Sequence, residues 1–140
     1  MSPRLLLPLA ITGLLAAAPA ASAATKHGVT PVAPKAGSSV PAGQSPTFKM
    51  RIKGKGAVFV HVCKSKKKDS SGRICNKADI GRAKKKGSTF RYRPKFFDFP
   101  EFWLNTPGTY YWQAYRIACE SGNLSDCYQE GPIVRFRVAG

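Results

Sequence analysis

Apolar and polar residues alternate one by one along much of this chain. In "PTFKMRIKG", Phe48, Met50 and Ile52 alternate with Lys49, Arg51 and Lys53. A strand turns successive side chains to opposite faces, so one face of this run should be buried and the other basic. "STFRYRP" repeats the pattern, with Phe90 and Tyr92 inward and Arg91 and Arg93 outward. Near the end, Val134, Phe136 and Val138 alternate with Arg135 and Arg137. "GAVFVHVC" differs. Val58, Val60 and Val62 share one face, while Phe59, His61 and Cys63 share the other, so this strand should be covered on both sides. No stretch sustains a helical period. Short alternating runs separated by Gly, Pro and Lys predict an all-β sandwich.

The connections fill in the plan. Residues 24–29 read as a flexible tail and residues 30–140 as one domain. "TPVAPKAGSSVPAG" reads as an irregular edge strand, since proline is tolerated at edges. Two lysine-rich segments, "KSKKKDSSG" and "AKKKG", read as loops. "PKFFDFPEFWLNTPG" reads as an apolar crossover between sheets, with one helical turn.

Composition adds a compartment and a field. Residues 1–23 carry Arg4, an apolar run from Leu5 to Ala18 and the small-residue pattern Ala21-Ser22-Ala23. That is the signature of a cleaved secretory signal peptide. Cleavage leaves 117 of the 140 residues, an ordinary size for one domain. Further on, no second apolar run predicts a membrane span. The formal net charge is +16, unevenly spread. Between Lys49 and Lys95 stand seventeen Lys and Arg against Asp69 and Asp79. Beyond Lys95, three Arg face five acids. Such a field favours anionic partners.

Four cysteines, Cys63, Cys75, Cys119 and Cys127, all lie beyond the signal segment. An even count in a secreted chain reads as disulfides. Three pairings are possible. Cys63–Cys75 and Cys119–Cys127 are favoured because each pair brackets a polar, turn-forming segment. No C-x-x-C occurs, and His27 and His61 lie at no ligand spacing from a cysteine pair, so no metal or other cofactor is expected.

"GTYYWQAYRIAC" holds three tyrosines and a tryptophan. Alternation puts Tyr110, Trp112 and Ala114 on the core face, and Tyr111, Gln113 and Tyr115 on a half-exposed one. Together with "SPTFKM" and "EGPIVRFRV", this strand resembles secreted bacterial domains of the immunoglobulin-like, fibronectin type III kind. The residues that carry the likeness are Ser45, Pro46, Phe48, Gly108, Tyr110, Trp112, Gly131, Pro132, Phe136 and Val138. The resemblance implies an immunoglobulin-like antiparallel β-sandwich, here with disulfides, and roles in adhesion, spacing or binding without catalysis.

The residues agree on chemistry. His61 is the only histidine inside the expected fold, and nothing in the spacing gives it a catalytic partner. No enzyme activity is expected, with a small basic secreted nuclease the least favoured reading. The leading expectation is a monomeric binding module that contacts an anionic extracellular or cell-envelope polymer, or an acidic protein surface. Lys64, Lys66, Lys67, Lys68, Lys84, Lys85 and Lys86 would carry it. An alternative is a protein-interaction or spacer domain that docks through Phe96, Phe97, Phe99, Phe102 and Trp103.

Overall fold

The computed structural model describes residues 24–70, 72–74, 79–94, 106–119, 122–123 and 127–140. The expected signal segment, the apolar crossover and Cys75 lie outside the described residues. Eight strands follow one another: β1 (Val29–Ala33), β2 (Ser39–Pro41), β3 (Phe48–Ile52), β4 (Ala57–Cys63), β5 (Asp79–Lys86), β6 (Thr89–Tyr92), β7 (Gly108–Ile117) and β8 (Tyr128–Ala139). No α-helix occurs among the described residues. The chain is all-β, as the two-residue alternation requires.

The strands join in the order β1-β3-β6-β5-β4-β7-β8-β2. This is one continuous, curled sheet, half of a barrel. It differs from the expectation of two separate sheets because β5 is hydrogen-bonded on both sides. Residues 79–83 pair with β4, and residues 84–86 pair with β6. Nor is the sheet purely antiparallel, since β2 runs parallel to β8. The proline-rich segment forms edges, as expected, but two of them. After β1 the chain leaves β3 and places β2 on the opposite border of the sheet.

The curl brings β1 back against β7 and β8. Gly131 permits that approach: a Cβ there would stand 2.5 Å from Val29 Cγ1 and 2.9 Å from the Ala114 carbonyl. Val29 is fully buried as a result. Lys26 and His27, in the expected tail, are held by Glu130. Lys26 Nζ lies 3.3 Å from its carboxylate, and His27 Nδ1 lies 2.9 Å from its carbonyl.

Inside the curl lies the apolar face that the pattern predicts. Phe48, Met50, Val58, Val60, Val62, Tyr110, Trp112, Phe136 and Val138 are buried together. Phe48 meets Trp112 edge-on at 5.4 Å and Phe136 at 5.9 Å between ring centres. The polar atoms of these rings are satisfied. Trp112 Nε1 donates to the Pro34 carbonyl at 3.0 Å, and the Tyr110 hydroxyl donates to the Thr106 carbonyl at 2.8 Å.

The other face of β7 corrects an expectation. Tyr111 is half-buried, but Gln113 and Tyr115 are buried, not half-exposed. The segment after β4 folds back over them. Lys68 bridges Ile74 in antiparallel fashion, and Ile74 is completely enclosed. Gln113 ties the layers together: its Oε1 accepts from Ile74 N at 3.1 Å, and its Nε2 donates to the Gly131 carbonyl at 3.0 Å. This fold-back is the shape a Cys63–Cys75 bridge would close. Cys63 is disulfide-bonded, and its expected partner lies outside the described residues. The second expected bridge, Cys119–Cys127, is present with an S–S distance of 2.07 Å.

Candidate anion-binding surface

Both lysine runs reach the surface, but at different ends of the sheet. Lys64, Lys66, Lys67 and Lys68 are exposed and follow the last residue of β4. Lys84, Lys85 and Lys86 are also exposed, and lie beyond the β4 start, since Val58 pairs with Ala83. At about 3.4 Å per residue, the seven residues of β4 separate the runs by about 20 Å. Lys64 is also engaged elsewhere, with its Nζ 5.6 Å from the centre of the Tyr110 ring.

Lys84–Lys86 was expected in a loop. It is strand instead, because Gly87 takes φ 62° and supplies the turn with Ser88 alone. This change of element changes the surface. In a strand, Lys84 and Lys86 point to one face, and the register sets them beside other cations. Lys84 pairs with Arg91, and Arg91 pairs with Lys49. Phe48 and Met50 are buried, so this row lies on the outer face. Three cations thus stand side by side on β3, β6 and β5, spanning about 10 Å at the usual strand spacing. A second row holds Arg51 on β3 and Lys86 on β5, with Thr89 paired to Lys86 between them. The Arg91 Nε donates to Thr89 Oγ1 at 3.3 Å, which leans its guanidinium toward that row.

Arg82 extends the outer face along β5. It is exposed and stands opposite Phe59 of β4. Sequence reasoning had not placed Arg82 in the surface. The signal was present: Arg82, Lys84 and Lys86 alternate around Ala83, which is strand periodicity, but the lysine run masked it.

Like charges directly opposite each other on a sheet are destabilising. Two described carboxylates are engaged away from this row, Asp69 with Arg73 at 3.4 Å and Glu130 with Lys26. The arrangement can therefore attract and hold an anion spread over several charges.

His61 is buried, as a packed strand histidine should be. Its Nδ1 lies 3.2 Å from the Ile74 carbonyl, and its ring meets Tyr115 edge-on at 4.7 Å. Phe96, Phe97, Phe99, Phe102 and Trp103, the alternative contact segment, lie outside the described residues. Neither a scan of protein-family models nor searches of curated proteins and of solved structures found a match to this chain.

Proposed function

We propose that this chain is a secreted, non-catalytic binding module that holds an anionic polymer on the outer face of β3, β6 and β5. The observation that carries the reading is the register Lys49–Arg91–Lys84, a row of neighbouring cations without a described acid among them. The Cys119–Cys127 disulfide supports an oxidising compartment, where such bonds persist.

An immunoglobulin-like ancestry is the accompanying structural proposal. The hand-off in β5 divides the pairings into a β1-β3-β6 group and a β5-β4-β7-β8 group with β2 on its edge. That grouping, and a tyrosine at the start of β7 whose hydroxyl returns to the backbone four residues upstream, are what such domains combine.

Binding to a set of polyanions and neutral glycans at low and high salt tests the function. The expected result is retention of polyanions at low salt and release at high salt, with neutral glycans unbound. Replacing Lys84, Lys85 and Lys86 by glutamine should weaken binding while the circular dichroism spectrum stays unchanged. Salt-resistant binding to neutral glycans alone would contradict the proposal.

A further inference from the structure

Lys85 stands on the core-facing side of β5 and is nevertheless exposed. The register fixes its side. Val58 and Ala83 pair across β4 and β5, and both are buried in the core. Lys85 lies two residues beyond Ala83 on the same strand, so it shares that face. Its partner on β6 is Phe90, which pairs in turn with Met50 of the core. Phe90 is half-buried and packs against the core. After Ala83, β5 leaves β4 for β6, and a half-open pocket of 390 Å³ lies where the strands part. Val58, Ala83 and Phe90 give it apolar walls, and Lys85 lines it beside them. Arg82 and Lys84 also border it, from positions that alternate to the outer face. The cation that shares a face with the apolar walls is therefore Lys85, and the row Lys49–Arg91–Lys84 looks the other way.

We infer that this pocket binds a small amphiphilic anion, a carboxylate on an apolar chain, with the chain against Val58, Ala83 and Phe90 and the carboxylate at Lys85. Its volume lies at the small end of ordinary ligand sites, which run from about 300 to 1,000 Å³ and combine apolar walls with a few orienting polar groups. Taking an apolar chain out of water against these walls drives binding. The ammonium of Lys85 at the rim then fixes which end of the ligand stays near solvent, and requires that end to be negative. A neutral chain would make no use of the charge, and a short anion would leave the walls wet. A polymer charged on every unit would set charge against Val58 and Phe90. The inference goes beyond the polyanion reading and does not depend on it.

A nuclear magnetic resonance titration with decanoate, set against decanol and acetate, tests this. Decanoate, kept below its aggregation concentration, should shift the signals of Val58, Ala83 and Phe90 first and bind tighter than either comparison. Decanol removes only the charge, and acetate only the chain, so both controls hold without any change to the protein. Lys85→Gln should weaken decanoate about three- to fivefold, the scale of one partly exposed charge pair, and leave decanol unchanged. The double variant Lys49→Gln, Arg91→Gln should weaken polyanion binding and leave decanoate affinity unchanged, which separates failure of this inference from failure of the polyanion reading. No binding of decanoate, shifts centred away from the pocket, equal affinity for decanol, or full decanoate affinity in Lys85→Gln overturns the inference and leaves the polyanion reading standing.

Discussion

Gln113 shows how one side chain decides what the rest of a face can do. Its amide stands between Ile74 N and the Gly131 carbonyl and joins the fold-back segment, β7 and β8. Gln113→Leu keeps the volume but leaves both backbone groups without this partner. The expected cost is about 1–3 kcal/mol for each group left unpaired, read as a lower denaturant midpoint. Tyr115 beneath the same cover carries a second signature. Burial raises its ionisation above the ordinary 10.0, and nearby Arg73 only partly opposes this. Burial raises Tyr110 in the same direction. The unfolded chain therefore releases these two protons first. Their contribution to stability should be intact below about pH 10 and be lost as pH climbs through the raised values. An ultraviolet phenolate titration should find two late tyrosines that ionise together with unfolding. If all five titrate near 10 in the folded state, the burial of Tyr110 and Tyr115 is wrong.

At the scale of elements, the β7–β8 hairpin is fastened twice. Ala118 N donates to the Cys127 carbonyl at 2.8 Å, and Cys119–Cys127 closes the connection just beyond. A loop this short contributes about 2–3 kcal/mol through denatured-state entropy on the chain-entropy account. Replacing both cysteines by alanine should lower stability by that amount and leave anion binding intact, as the bridge lies on β7 and β8 and the cation row on β3, β6 and β5. Alternation made β3, β4, β6, β7 and the end of β8 legible in the sequence, because each sets apolar residues two apart over a core. β5 was hidden for the same physical reason. Its last three residues are all exposed, so Lys84–Lys86 shows charge where the other strands show an apolar residue at every second position. The fold-back over Gln113 and Tyr115 was equally invisible, since which segment covers a polar face depends on contacts distant in sequence.

For the whole molecule, the curl and the charge belong together. One strand, β5, serves both halves of the sheet, pairing with β4 over its first part and with β6 over its last residues, and it carries one end of the cation row. The sequence shows that positive charge gathers between Lys49 and Lys95. Only the register shows that this charge divides between two ends of the molecule, and that one end is an ordered row. The proposed function places binding at the ordered end. The most direct test is the salt dependence of polyanion affinity in the wild type and in two variants, one with Lys84 and Arg91 changed to glutamine, the other with Lys66, Lys67 and Lys68 changed to glutamine. A shallower slope is expected for the first variant and a wild-type slope for the second. Equal loss in both variants would contradict it, because binding would then follow net charge and not the row of cations on β3, β6 and β5.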